Sequence, residues 1–271
     1  MVLFPNAKIN FGLEILRKRN DGFHDIDSVF YPIPLCDALE VVFDQQDSRD
    51  HWHYSGLTIP GNSADNLCAR ALNLLREREH IPKLNTFLHK AIPMGAGLGG
   101  GSADGSFFIK ALNDLLQLNL HLDEMKELAL SLGSDCPFFI NNLAARASGR
   151  GEVLTPIELD LKGKHLVLIC PDIHVSTKEA YSIIKPDDSS ESPAKIVNRP
   201  IDEWRGNLRN RFEEYAFRKH PKLSEIKQEF YAAGAIYASM TGSGSAIYGI
   251  FSESMGKEAF SDFDTVLAFD L

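Results

Sequence analysis

A chain of 271 residues has room for one large domain or two moderate ones, and 44% hydrophobic residues can fill a substantial core. The formal net charge of −9 argues against broad binding to nucleic acid or a membrane surface, while leaving room for a local basic pocket. Cys36, Cys68, Cys136 and Cys170 are scattered without metal-ligand spacing and read as small hydrophobes in a reducing compartment. No basic-then-apolar leader and no apolar run of about 18 residues is present, so a soluble cytoplasmic protein is expected.

The chain opens in β structure. Lys8, Asn10 and Gly12 alternate with Ile9, Phe11 and Leu13, and Asn20–Gly22 marks a turn. Further strands are expected at Ala38–Phe43 and, more weakly, at His51–Ile59. His51 and His53 share one face of that strand, but no third ligand accompanies them and no metal is assigned to them. A helix follows over Asp65–Arg78, with Leu67, Ala71, Leu74 and Leu75 on one face. A strand at Thr86–Ile92 leads into a run of glycines, and helices follow at Ala103–Gln117 and Asp123–Leu132. Ser148–Gly151 breaks the apolar pattern and suggests a division into domains 1–150 and 151–271. The second half reads as a strand at His165–Cys170, a helix at Ser176–Ile184 and a polar loop at Lys185–Lys195. Helices at Leu208–Lys219 and Lys222–Ala232 come next, then strands at Ile236–Met240 and Ala246–Phe251. This irregular order of strands and helices indicates an α+β fold.

Five of the seven residues from Gly95 to Gly101 are glycine, and a helical pattern follows, with Phe108, Ala111, Leu112 and Leu115 on one face. Glycines let a backbone close around a ligand with its N–H groups turned inward, and a helix start adds unpaired N–H groups and positive potential. Such a construction suits phosphate. Gly95, Gly97 and Gly100 also match G-x-G-x-x-G, but Pro93 interrupts the approach and no acid closes a second strand at the required distance, which argues against a dinucleotide fold. No Lys follows as in a Walker loop, and the HRD and DFG motifs of protein kinases are missing.

The segment PMGAGLGGGSADGS (Pro93–Ser106) closely resembles the central phosphate loop of the GHMP kinases. PNAKINFGLEI (Pro5–Ile15) and MTGSGSAIYGIF (Met240–Phe251) resemble the N- and C-terminal motifs of that superfamily, in the right order. DGFHDIDSVF (Asp21–Phe30) and GSDCPFF (Gly133–Phe139) point to a branch whose alcohol substrate carries a cytidine diphosphate. Phe23 departs from a frequent Tyr, and Gly105 from a usual Ala.

The resemblance implies a two-domain kinase with its active site in the interdomain cleft, using ATP and Mg2+ on a small-molecule, cytidine-diphosphate-linked polyol, as a monomer or weak dimer. It implies Asp135 as general base with Lys8 beside it. For ATP it implies Asn66, Leu67, Lys90, Pro93, Gly95, Gly97, Leu98, Gly99, Gly100, Gly101, Ser102 and Ala103. For substrate it implies Asn10, Phe23, His24, Phe30, Asp135, Thr177, Tyr181 and Gly242, with Phe23 and Tyr181 sandwiching the base and His24 reading its edge. The residues alone leave alternatives open. Asp135 could cap a short helix beginning at Pro137, Ser102 could be an N-cap, and Asp104 would repel phosphate unless it turns away or a cation intervenes. No magnesium ligand can be assigned.

Overall fold

A computed structural model describes residues 1–43, 49–62, 65–263 and 265–271. In chain order its first half contains β1 (Val2–Leu3), β2 (Asn6–Lys18), β3 (His24–Cys36), β4 (Ala38–Phe43), β5 (His51–Gly56), α1 (Leu67–Arg76), β6 (Leu84–Lys90), α2 (Gly100–Leu116), α3 (Leu122–Leu132) and α4 (Cys136–Asn141). Then come β7 (Ala145–Ser148), β8 (Val153–Pro156), β9 (His165–Ile169), α5 (Thr177–Ile183), α6 (Pro193–Ile196), α7 (Phe212–Lys219), α8 (Pro221–Ala232), β10 (Tyr237–Met240), β11 (Ile247–Phe251) and β12 (Val266–Asp270). The fold is α+β, with strands and helices intermixed along the chain.

Packing divides the chain into two units, each drawn from separated stretches. The first comprises Met1–Lys8, Leu35–Met94 and Gly99–Leu143. Its sheet has the order β1-β4-β6-β5, with β5 parallel to β6 and the other pairs antiparallel. Leu39, Val41, Leu84 and Leu88 from that sheet are buried, as are Ala71, Leu72 and Leu75 of α1 and Phe108, Ala111 and Leu112 of α2. The expected apolar face of α1 is rotated by one position. Cys68 and Leu72 are buried, whereas Leu67 and Leu74 are half-buried.

The second unit comprises Ile9–Pro34, Gly95–Leu98 and Ala144–Leu271. It contains an antiparallel sheet of order β10-β11-β9-β12. Leu223, Ile226 and Phe230 of α8 and Phe212 and Ala216 of α7 join Val167, Ile169, Ala238, Met240 and Ile247 of the sheet in one apolar core. The remaining sheet has the order β2-β3-β7-β8. Ser148 pairs with Val153, so Ser148–Gly151 turns a hairpin inside this unit. The single cut at residue 150 is therefore replaced by interleaved segments: β2 and β3, early in sequence, run largely with the late part of the chain.

Candidate active site

The glycine run is shared between the two units. In the second unit, Gly97 has φ +83°, and a Cβ there would stand 2.1 Å from the carbonyl oxygen of Thr241. The side of Gly97 that lacks a Cβ is thus filled by the 241–244 backbone. Gly242 is buried, and its missing Cβ would face the Gly97 carbonyl oxygen at 3.2 Å. Gly95 is exposed, while Leu98 is an apolar peg buried to 1% exposure.

In the first unit, Gly99 stands at the N-cap of α2 in the left-handed region, with no side-chain cap. A helix start without a side-chain cap keeps its N–H groups available to an anion. Gly101 is exposed, with nothing within 4 Å of the position a Cβ would take. Gly100 faces inward instead: its Cβ would meet Ile92 at 2.9 Å and Lys90 Nζ at 3.4 Å. Ala103 is buried and Pro93 half-buried. Ser102 lies inside the helix, so it is not the N-cap; its side chain engages the Cys136 thiol. Burial pushes that thiol up to about 11, which keeps it neutral.

The same unit brings Lys8 and Asp135 together. Lys8 Nζ lies 3.4 Å from Asp135 Oδ2, with the lysine side chain 4% exposed and the aspartate 36%. Asp135 occupies the N-cap position of α4, yet its side chain makes no capping hydrogen bond there. The capping alternative therefore fails. Lys8 runs beneath the glycine loop, since a Cβ on Gly99 would stand 3.2 Å from Lys8 Cγ. A buried ammonium beside a half-open carboxylate leaves that carboxylate oriented and within reach of a hydroxyl.

Lys90 is placed differently from expectation. Its side chain is buried and donates to Asp104 Oδ2 at 2.6 Å and to Asp37 Oδ2. Its main-chain carbonyl accepts from Leu57 N–H at 2.8 Å. Asp104 accordingly turns away from the loop. Burial raises its pKa to about 8, against the opposing pull of Lys90.

Asn66 lines a cavity of about 420 Å³ with Tyr54, Gly56, Leu57, Ile59 and Asn62. Its Oδ1 caps α1 by accepting from Cys68 N–H at 2.8 Å. Tyr54 and Leu57 were not anticipated from the sequence. The available signal was two large apolar groups left exposed around the end of an edge strand. The imidazole of His53, on that strand, stacks on Phe87 with centroids 4.4 Å apart.

The second unit gathers the remaining expected residues. Asn10 is buried: its N–H donates to Thr241 Oγ1 at 3.1 Å and its Nδ2 to Ser28 Oγ at 2.9 Å. It pins the C-terminal glycine motif to β2. Phe30 is 1% exposed and belongs to the core, not to an open platform. Thr177, at the start of α5, is exposed and shares a 2.8 Å hydrogen bond with Ser243 Oγ. His24 stacks on Tyr181, centroids 5.0 Å apart and planes at 24°. Phe23 is 50% exposed, with the Arg150 guanidinium 4.6 Å from its ring centroid. The stacked pair is therefore His24–Tyr181, and Phe23 presents a ring already partnered by a cation, which sequence reasoning had not foreseen. Burial, with Lys18 adding to it, lowers the His24 pKa, so its imidazole is neutral at pH 7. A neutral imidazole can both donate and accept, as reading a base edge requires.

Among the described residues no group of three His, Cys, Asp or Glu side chains gathers as a metal cage. No helix among them is long and apolar enough to cross a membrane.

Comparison with known proteins places this geometry. The family described as "GHMP kinases N terminal domain" matches residues 66–142, and "GHMP kinases C terminal" matches residues 194–266. A protein of Bacteroides fragilis named 4-diphosphocytidyl-2-C-methyl-D-erythritol kinase is 46% identical over 99% of this chain and 98% of its own length. A protein of Bacteroides thetaiotaomicron with the same name is 47% identical, covering 98% of this chain and 97% of its own. A solved structure of 4-(cytidine 5'-diphospho)-2C-methyl-D-erythritol kinase superposes with a TM-score of 0.82 at 31% identity, covering 99% of this chain and 98% of that one.

Proposed function

The chain belongs to the GHMP kinases, and we propose that it transfers the γ-phosphoryl group of ATP to the 2-hydroxyl of 4-diphosphocytidyl-2-C-methyl-D-erythritol. The products are the 2-phosphate and ADP, a step in the non-mevalonate route to isopentenyl diphosphate. The observation that carries the chemistry is the Lys8–Asp135 pair, a buried cation beside a half-exposed carboxylate that caps nothing.

In this reading the phosphates lie against the backbone at Gly99 and Gly101, at the start of α2, where N–H groups and the helix dipole meet their charge. The nucleoside sits against Asn66, Tyr54 and Leu57. Asp135 accepts the proton of the 2-hydroxyl as its oxygen attacks the γ-phosphorus. The bond from that phosphorus to the bridging oxygen breaks, and ADP leaves with the electron pair. Lys8 orients Asp135 through their ion pair and stabilises charge that develops near it. In the second unit, Tyr181 and Phe23 supply aromatic surface for the cytosine, and His24 supplies a polar contact to its edge. Magnesium would fit as a companion of the nucleotide, held chiefly by phosphate oxygens with few protein ligands, in keeping with the lack of a three-residue cage among the described residues. When bound, it neutralises charge developing on the phosphates.

The test is ADP release across a panel of alcohols, including the diphosphocytidyl substrate, mevalonate and homoserine. Turnover is expected with the diphosphocytidyl alcohol and not with the same polyol lacking the nucleotide. Equal kcat/KM with and without the base would overturn the substrate assignment and leave a kinase of a different small alcohol.

A further inference from the structure

Three charged side chains stand buried together in the first unit, outside anything the reaction above uses. Asp37 lies between β3 and β4, Lys90 ends β6, and Asp104 lies in the second turn of α2. Lys90 Nζ donates to both carboxylates, at 2.6 Å to Asp104. The other oxygen of Asp37 accepts from the N–H groups of Ala91 at 2.6 Å and Ile92 at 2.9 Å. Among the described residues, the other oxygen of Asp104, Oδ1, is buried and meets no hydrogen-bond partner. One cation facing two carboxylates leaves a net charge of −1 if all are ionised, and each of the three side chains is 4% exposed or less. Burying such a charge is costly, and a proton on Asp104 removes the cost.

The location gives this cluster its meaning. Ala91 and Ile92 lead directly into Pro93 and the glycine run, and α2 is the helix that leaves it. We propose that Asp37, Lys90 and Asp104 form a positioning clasp for the glycine loop, in which a neutral Asp104 joins the entering strand to the departing helix and keeps that helix start receptive to phosphate. The inference rests on the reading that the loop holds the nucleotide's phosphates.

The charges around Asp104 agree with a neutral acid. Lys90 of β6 and Asp37 beside β4 are the charged groups facing it. Cys68 of α1 is the remaining titratable neighbour, and burial pushes its thiol well above the ordinary range, so it adds no charge. Burial raises Asp104 to about 8, while the two carboxylates raise Lys90 despite its burial and keep it cationic. Ionisation of Asp104 at higher pH would place a carboxylate near the N-terminal end of α2. It would offset the roughly half positive charge of the helix start and oppose the incoming phosphates. MgATP binding should therefore weaken as pH rises through the Asp104 transition.

The experiment measures the MgATP dissociation constant by calorimetry from about pH 6.5 to about 9.5, in the wild type and in Asp104→Asn, which keeps the shape and cannot ionise. The wild type is expected to lose affinity by roughly three- to tenfold around pH 8, and Asp104→Asn to vary by less than about twofold over the same range. A merely structural Asp104 would change the level of the curve but not its pH dependence. A flat wild-type profile, or an Asn variant that falls in parallel with the wild type, would overturn the clasp. If Asp104→Asn does not fold, 13C-carboxyl NMR of the wild type decides. Linkage requires MgATP to raise the midpoint of Asp104 by the logarithm of the same affinity ratio, and an unmoved midpoint would overturn the proposal. A folded wild type that binds no nucleotide at any pH would remove the reading of the loop and the clasp with it, a result distinct from a flat profile.

Discussion

Lys8 sits in a strand packed on both faces, while Asp135 stands at the start of a six-residue helix with over a third of its side chain open. In the proposed mechanism that asymmetry gives the proton transfer to Asp135 and the electrostatic support to Lys8. Asp135→Asn keeps the volume and removes proton acceptance, so kcat should fall by about 10²- to 10⁴-fold while ATP affinity holds. Lys8→Ala should fall comparably, and the double variant should lose little more than the worse single one, because the two act as a unit. Multiplicative losses in steady-state kinetics would separate their roles. Lys8 itself could be placed from the alternation of its strand, but its partner could not. The pair spans most of the first unit in sequence, and only the resemblance brought the two together. Asn10 and Phe30 were legible as positions, but not their burial: Asn10 donates to Ser28 and Phe30 lies in the core.

Among the elements, those with a single period were readable. β4 was expected at its observed bounds, and α1, α2 and α3 were found within a few residues. β3 carries Asp25, Asp27, Pro32 and Pro34, which mask its alternation. Its acids are stabilised only by partners elsewhere, Arg17 and Arg19 for Asp25 and Arg146 for Asp27. The clasp was equally hidden, because Lys90 lies 53 residues from Asp37 and 14 from Asp104, and no local pattern joins them. The glycine loop shows the finer limit. Its composition suggested a phosphate site, but not which glycine opens outward. Gly101 opens outward and Gly100 inward. Gly101→Ala should therefore keep or raise stability by up to about 1 kcal/mol, since alanine is the better helix former, while weakening ATP binding. Gly100→Val should chiefly destabilise, because its side chain would meet Ile92. Thermal melts beside nucleotide titration check both. Unchanged ATP affinity in a folded Gly101→Ala would move the phosphates away from that face of the loop.

At the scale of the whole chain, the two-part organisation was visible in the sequence but its membership was not. A break in apolar pattern marks a turn as readily as a boundary, and Ser148–Gly151 proved to be a turn. Charge at this scale carries a further consequence for stability. Asp104 has a folded pKa of about 8 against an ordinary value near 3.8, so between those values the folded state keeps a proton that the unfolded chain has lost. Its stabilising contribution is complete below the lower value and is lost as pH rises through the upper one, with a slope near 1.4 kcal/mol per pH unit in between. Glu14, raised by its own burial, acts in the same direction. Asp50 is lowered by hydrogen bonding to Arg76 and Asp25 by Arg17 and Arg19, so both are ionised in folded and unfolded chains above about pH 5 and add no slope there. His24 pulls the other way near neutrality, but it is common to wild type and Asp104→Asn and cancels in their difference. Urea unfolding at fixed temperature should show the wild type losing about 2 kcal/mol more than Asp104→Asn between about pH 6 and about pH 8. Any constant cost of removing the Lys90 partner shifts the whole curve without tilting it. Parallel curves would mean that Asp104 is ionised throughout, and that the buried −1 charge is tolerated by some other compensation.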